Sequence, residues 1–342
     1  MSEAADPPSV PASAPADADG ADGGGAESDS LSLEKIGEAV KQAEAEATAG
    51  DVGPTDAAGA ASSVGGAEKA DEISAGETQV DGGNLVLSDG KPRPLTHMQE
   101  CDARLASGTM PEVSQRFLNA DKGNVTKANT RWNKTLTWRR DMGISSILRR
   151  PHPNFAVIKQ FFPHWYHLPG KNGDTVYFEK SGAIDLRSLK AHNIGINELL
   201  YHYQFITEYL WTYLSPLEES RSITVLDVRG IGMKDVGGDV LKFIKAAIGF
   251  SGQHYPERCG QIYIINVPMW FSGIWKMIKP WIDPVTVART HIVRGEAKIT
   301  AALLEHIDAA HLPTEYGGQS TVALGQSAAE QTLAELVQRL NA

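Results

Sequence analysis

Residues 255–293 read YPERCGQIYIINVPMWFSGIWKMIKPWIDPVTVARTHIV and constrain the fold more than any other stretch. The β-branched run at 262–267 has the length and composition of a buried strand. Pro268 closes it, because proline gives no N–H to a ladder. Residues 270–282 then place Trp270, Phe271, Ile274, Trp275, Met277, Ile278 and Trp281 in a helical run flanked by Lys276 and Lys279. Pro280 and Pro284 punctuate it, and 285–293 is a second apolar run, so strand, helix, strand is the local expectation. A surface helix keeps one face polar, whereas this one is apolar on more than one. Core packing and a cover over an apolar ligand space both satisfy that pattern.

The first 90 residues cannot supply the partner surface. They carry 19 Asp or Glu against 3 Lys or Arg and contain no Phe, Trp, Tyr or His. The whole chain of 342 residues has a net charge of −10, so residues 91–342 carry +6. A segment so poor in apolar surface does not offset an ordering cost of roughly 1–2 kcal/mol per residue. A disordered acidic Ala/Gly-rich tail is expected over 1–90, with a transient helix or partner motif at 33–47, where Leu33, Ile36, Val40 and Ala43 keep helical spacing. The start, MSEAADPPSV, has neither the basic region nor the apolar core of a secretory signal, and its acidity argues against a transit peptide. No apolar run reaches about 18 residues, the length a membrane span needs. Cys101 and Cys259 are two and far apart, which makes no disulfide framework and no zinc pattern. A cytosolic, reduced protein is expected.

Residues 91–150 read as a small helical unit. Pro111 is expected to open a short helix through Arg116, Phe117 and Leu118. Asn124 is expected to cap the next, with Val125, Ala128, Trp132, Leu136 and Trp138 near helical spacing and Gly143 at its end. The pairs Arg139-Arg140 and Arg149-Arg150 read as solvated helix ends, and no nucleic-acid partner is expected. Extended runs at 165–168 and 174–180 flank Lys171-Asn172-Gly173, a hairpin signal in which both Asn172 and Gly173 take φ > 0. A helix over 195–214 carries Leu199, Tyr203, Ile206, Leu210 and Tyr213 on one stripe. The run RSITVLDV at 221–228 is a strand whose period of two puts Ser222, Thr224, Leu226 and Val228 on one face and Ile223, Val225 and Asp227 on the other. A helix over 236–250 then leads to the strand at 262–267, a crossover between parallel strands. A charged helix at 295–306 and the loop LPTEYGG follow. Residues 327–340 form an amphipathic helix with Ser327 and Glu330 as a capping box and Leu333, Leu336, Val337 and Leu340 on one face.

Catalytic signatures fail. Gly230-Ile231-Gly232 lacks the third glycine of a dinucleotide loop, and Gly170-Lys171 is followed by Asn rather than Ser or Thr. His164 and His167 are spaced HxxH without a third ligand, so no metal site is expected. There is no GxSxG elbow, and neither cysteine has a catalytic signature. The expectation is a protein that is not an enzyme and holds no cofactor.

Long blocks in the right order resemble the CRAL-TRIO family: RFLNADKGNVTKANTRWNKTLTWRRDMGI (116–144), GKNGDTVYFEKSGAIDL (170–186), YPERCGQIYIINVP (255–268), KPWIDPVTV (279–287) and LPTEYGG (312–318). They are most similar to its fungal-type phosphatidylinositol/phosphatidylcholine transfer proteins. The resemblance implies an α/β fold in which a helical N-terminal unit (91–150) precedes a lipid-binding domain (151–318). In that domain a mixed five-stranded sheet floors a lipid cavity covered by helices, and 319–342 form a linker and amphipathic helix. It implies further that residues 270–282, with Trp270, Phe271, Ile274, Trp275, Ile278 and Trp281, are the counterpart of a gate helix that swings at the membrane.

The resemblance also assigns headgroup residues. The phosphatidylcholine-type set falls on Tyr166, Tyr177, Tyr203, Ser222 and Thr224. That chemistry is sound, since hydroxyls donate to phosphate oxygens and aromatic faces attract a quaternary ammonium. The phosphatidylinositol-type set falls on Glu257, Thr286 and Arg289, the last in place of the family's Lys. The Arg of the family's RFLRA motif is Asn119 here and carries no charge, so the phosphatidylcholine-type set is the more complete. The implied function is a phospholipid carrier, transiently membrane-associated from the cytoplasm, that transfers its lipid or presents it to a lipid kinase. A neutral lipophile such as a tocopherol, retinoid, carotenoid or sterol fits the same fold. An interaction module that uses the tail and the C-terminal helix to recruit a partner is the reading of another class.

Overall fold

The computed structural model describes residues 79–81, 84–86 and 95–342. The expected helix at 33–47 and most of the tail lie outside the described residues. Within the tail, Gln79–Asp81 (β1) and Asn84–Val86 (β2) pair antiparallel. Backbone pairing requires no aromatic residue, so composition does not reveal it.

Three helices follow, His97–Ala106 (α1), Gln115–Ala120 (α2) and Val125–Asp141 (α3). Each begins on a side-chain cap. The oxygens of Thr96, Ser114 and Asn124 accept from the amides of Gln99, Arg116 and Lys127 at 3.3, 3.3 and 3.0 Å. Ser114 therefore starts α2, not Pro111, whose carbonyl instead accepts from the Trp132 indole at 3.2 Å. Phe117, Ala128, Trp132 and Leu136 bury together with Cys101 as this unit's core. Arg139 does not project into solvent as its sequence context suggested. It is 2% exposed and forks onto Asp102 in α1 and onto Glu208, which anchors the unit to the next domain.

The remaining elements are Phe155–Phe161 (α4), His164–Tyr166 (β3), Thr175–Glu179 (β4), Leu186–Ala191 (α5), Ile196–Tyr209 (α6, extended by a π turn over Leu210–Leu214), Ser222–Asp227 (β5) and Gly238–His254 (α7). They continue with Cys259–Ile265 (β6), Phe271–Ile278 (α8, then a 3-10 turn Lys279–Trp281), Pro284–Ala288 (α9), Thr290–Val293 (β7), Glu296–His306 (α10) and Ala328–Asn341 (α11). The apolar run expected as one strand at 285–293 is thus divided. Asp283 accepts from the amides of Val285 and Thr286, both at 3.0 Å, and Pro284 sits in the first turn, so a short helix forms before β7.

Strands β3 to β7 lie side by side in sequence order, β3 antiparallel to β4 and the other neighbours parallel. The β3–β4 connection is longer than the expected two-residue turn. Gly173 donates to the Gly170 carbonyl at 3.0 Å and alone takes φ > 0 (+78°), while Gly170 donates to Asp174 at 2.9 Å. One left-handed glycine after an ordinary turn closes this hairpin, and Asn172 stays at negative φ.

One sheet face is fully packed. Val176, Phe178, Ile223, Val225, Tyr263 and Ile265 bury against Ile299 and Leu303 of α10 and against Ile307, Leu312 and Tyr316 beyond it. The opposite face meets α6, α7 and α8. Helix α11 closes the β3 edge, with Leu333, Leu336 and Val337 in the same cluster as Tyr166, Phe205 and Tyr209. Its cap differs from the expected reciprocal box. Ser327 receives the Glu330 amide at 3.3 Å, but the Glu330 carboxylate accepts from the Tyr166 amide at 2.7 Å and from Lys159 at 2.8 Å. Ser327 Oγ donates to the Tyr166 carbonyl at 2.7 Å, so two side chains take the place of a neighbouring strand at an exposed edge.

Candidate functional site

Strand β5 sits in the middle of the sheet, yet its burial alternates. Ile223, Val225 and Asp227 are buried, whereas Ser222, Thr224 and Leu226 are only half-buried. A central strand packed closely on both faces would bury both sets. Helix α7 tells the same story from above. Only Leu241 is buried, while Val240, Phe243, Ile244, Ala247, Ile248 and Phe250 are half-buried, which leaves apolar surface accessible between helix and sheet.

Register brings part of the phosphatidylcholine-type set together. Tyr166 pairs with Tyr177, and Tyr177 pairs with Thr224, so the three stand in one row across β3, β4 and β5. Ser222 lies two residues before Thr224 on the same face, opposite Thr175. Tyr203 reaches the group from α6, its ring edge-on to Phe243 and Phe250 of α7. Burial first, and then Tyr203 close by, push the Tyr166 phenol up; for Tyr177 burial leads and Glu179 comes next.

The hydroxyls are not equivalent. Tyr166 donates to the Ile206 carbonyl at 2.8 Å, so its donor is spent on the fold. Tyr177 donates to Glu179 at 3.0 Å. Ser222, Thr224 and Tyr203 make no side-chain hydrogen bond among the described residues, and their hydroxyls remain open to a ligand. Residue type does not distinguish a tyrosine that braces a helix from one that offers a donor.

The phosphatidylinositol-type set is placed where β5, β6 and β7 begin. Glu257 precedes β6, and its carboxylate lies 3.7 Å from Arg289, which precedes β7. Arg289 also donates to the Cys259 carbonyl at 2.6 Å. Thr286 is not joined to Glu257: its hydroxyl and amide both bond to Asp283. Asn119 is exposed on α2, where its side chain accepts from Gln115 at 2.8 Å. Sequence reasoning missed Arg221, which precedes β5 and stands 3.9 Å from the same Glu257 carboxylate. Its position directly before Ser222 was the available signal. Sequence reasoning also missed Glu179, two residues beyond Tyr177 and therefore on the same sheet face.

The gate-helix residues divide by burial. Phe271, Ile274 and Ile278 are buried against Val228, Val236, Leu241, Ile264 and Val267. Trp270, Trp275 and Trp281 pack half-buried on that cluster, and Lys245 of α7 stands over the Trp281 ring at 5.6 Å. His164 and His167 are three apart in the chain and face opposite sides of the sheet, so they form no pair. Among the described residues no group of three or more His, Cys, Asp or Glu is arranged to hold a metal ion, and no helix is long and apolar enough to cross a membrane.

Residues 162–318 match the CRAL/TRIO domain. The SEC14 cytosolic factor of Eremothecium gossypii is 31% identical over 215 residues, which cover 61% of this chain and 69% of that one. The Schizosaccharomyces pombe Sec14 cytosolic factor is 32% identical over 211 residues, or 59% of this chain and 72% of that one. The phosphatidylinositol/phosphatidylcholine transfer protein SFH4 of Arabidopsis thaliana is 31% identical over 218 residues, 62% of this chain and 36% of that one. With the mixed five-stranded sheet and its helical cover, these likenesses establish that the chain belongs to the CRAL/TRIO family.

Proposed function

We propose that this protein holds one phospholipid between the half-buried sheet face and helices α7 and α8, and transfers it between membranes or presents it to a lipid-modifying enzyme such as a lipid kinase. The observation that carries this reading is the pair Ser222 and Thr224, two hydroxyls without a side-chain hydrogen bond among the described residues, on the half-buried face of a central strand. A phosphate group accepts from both. Such a carrier makes and breaks no covalent bond, so no residue is assigned a catalytic role and no cofactor is invoked beyond the lipid.

The acyl chains supply little discrimination. Burying them is worth about 0.8 kcal/mol per methylene relative to water, but the bilayer offers the same burial, so the gain nearly cancels on extraction. Selectivity then falls to the polar end, and exchange rate to the cover. Helix α8 is the cover and the membrane-facing element: Trp270, Trp275 and Trp281 supply apolar contact, and Lys276 and Lys279 add charge worth about 1 kcal/mol each near an anionic surface. A cytoplasmic protein that meets membranes transiently follows from this reading.

Phosphatidylinositol is the second cargo, favoured by one observation. Arg221 and Arg289 flank Glu257, and Arg221 brings a second cation to a site where Asn119 brings none. The test is mass spectrometry of organic extracts from the purified full-length protein, followed by vesicle-to-vesicle transfer. Near-stoichiometric phospholipid is expected, and Ser222→Ala with Thr224→Ala should abolish phosphatidylcholine transfer. A neutral lipophile in the extract, with uptake indifferent to the double substitution, would sink the proposal.

A further inference from the structure

Where the N-terminal helices meet the lipid-binding domain, a cavity of about 30 Å³ lies between α1, α2, the π turn after α6 and the segment before β6. Arg116 and Arg258 both border it, 7% and 8% exposed. The Ser220 carbonyl accepts from Arg116 Nη2 at 2.7 Å and from Arg258 Nη1 at 3.1 Å, so two like charges are drawn to one oxygen. Buried charges are ordinarily paired, because desolvating an ion without a partner is costly. Among the described residues neither guanidinium forms an ion pair. Glu208, also at the cavity, is committed to Arg139 at 2.9 Å and to the Tyr255 hydroxyl. Glu218 stands at the rim, where Ser114 donates to Oε1 and His97 lies 3.7 Å from Oε2.

We infer that this cavity is a binding site for a small inorganic anion of the size of chloride, held between the guanidinium groups of Arg116 and Arg258. The donors for it are present. Arg116 spends Nη1 and Nη2 on the Glu257 and Ser220 carbonyls, which leaves its buried Nε without a partner. Arg258 spends only Nη1, on the Leu217 and Ser220 carbonyls, and its Nε and Nη2 have no partner among the described residues. Its guanidinium lies over the Trp211 ring at 4.3 Å, which fixes the direction of those donors. A single water occupies roughly 10–15 Å³ of such space, so the cavity has room for a monatomic anion. Burial and then the charge of Arg116 push Arg258 down to about 9, and burial pushes Arg116 down as well, as expected of two cations that lack a shared anion. Because Arg116 also holds the loops entering β5 and β6, an ion here supports that junction from behind.

The full-length protein is unfolded in sodium chloride and, at the same ionic strength, in sodium gluconate, whose anion is too large for the cavity. Equal ionic strength holds screening constant, so a saturable difference between the salts reports a bound ion. Chloride at about 150 mM should raise the folded-to-unfolded ratio about tenfold over gluconate, and Arg258→Gln should erase the difference. Identical unfolding of wild type in the two salts overturns the assignment, and so does a difference that Arg258→Gln retains. A second measurement needs no variant: wild-type crystals soaked in bromide should show an anomalous peak in contact with both guanidinium groups. Ordered water alone at that position overturns the assignment, whether or not Arg258→Gln folds.

Discussion

Arg116 Nη1 donates to the carbonyl oxygen of Glu257 at 2.6 Å, across 141 positions of sequence. Glu257 is one of few non-glycine residues with a left-handed backbone, at φ +58°, a conformation that persists only where its surroundings hold it. The same guanidinium donates to the Ser220 carbonyl at 2.7 Å, so one side chain from the N-terminal helices clamps the loops entering β5 and β6. Replacement by Met leaves the Glu257 carbonyl without this donor, while Ser220 keeps Arg258 Nη1 at 3.1 Å, and should cost about 2 kcal/mol, read as a lower urea midpoint. Phosphatidylinositol loading should fall more than phosphatidylcholine loading, because Glu257 and Arg221 lose their alignment. An equal fall for both lipids would count against the clamp.

Three buried histidines predict acid sensitivity. His152 Nε2 lies 3.0 Å from His202 Nδ1, and His202 Nε2 lies 2.8 Å from His164 Nε2, whose Nδ1 faces the Phe162 carbonyl at 2.7 Å. A carbonyl only accepts, so His164 carries its proton on Nδ1. His202 then donates to His164, and His152 to His202, with all three rings neutral. Burial holds His164 and His202 well below the ordinary histidine range, with Lys159 nearby also opposing their charge, and burial pulls His152 down to about 4. Since the folded-state values are depressed, the unfolded chain takes up protons first. Stability is complete above about pH 6.5 and falls as pH drops toward the folded-state values, by up to about 1.4 kcal/mol per pH unit for each ring. Melting temperatures between pH 7.5 and 5 should decline accordingly, and His202→Asn should flatten the decline. A flat wild-type profile would falsify the neutral chain.

The cover makes a prediction about membranes. Trp275 and Trp281 are half-buried on the α8 cluster, whereas Phe271 and Ile278 are integral to it. Trp275→Ala with Trp281→Ala should reduce co-sedimentation with anionic vesicles severalfold and lower the melting temperature modestly. Phe271→Ala should instead cost about 3–5 kcal/mol of stability through the cavity it leaves. Undiminished vesicle binding by the double tryptophan variant would remove α8 as the membrane-facing element.

Much of the fold is legible in the order of residues. The alternation through 221–228 assigns two faces to β5, and the structure divides them by burial in the same way. The caps Asn124 and Ser327 mark helix starts because side-chain capping is local chemistry. Errors arise where a long-range partner overrides a local signal. Arg139 sits in a basic pair yet is buried, because Asp102 and Glu208 converge on it from separate elements. Glu330 has the position of a capping-box residue, but the Tyr166 amide at the unpaired β3 edge claims its carboxylate.

The candidate site divides along the same line. Sequence by itself determined the strand face that bears Ser222 and Thr224, the apolar helix after Pro268, and the likeness to a lipid-carrier family, because periodicity and residue type act over a few residues of chain. Only the tertiary structure decided that Tyr166 spends its donor on Ile206, that Arg221 joins Arg289 around Glu257, and, among the described residues, which hydroxyls remain free and that Glu179 is buried without a cation. Those facts depend on register between strands and on packing between helices far apart in the chain. A hydrogen bond or an uncompensated charge belongs to the pair of groups that meet in space, and no single position in the sequence carries it.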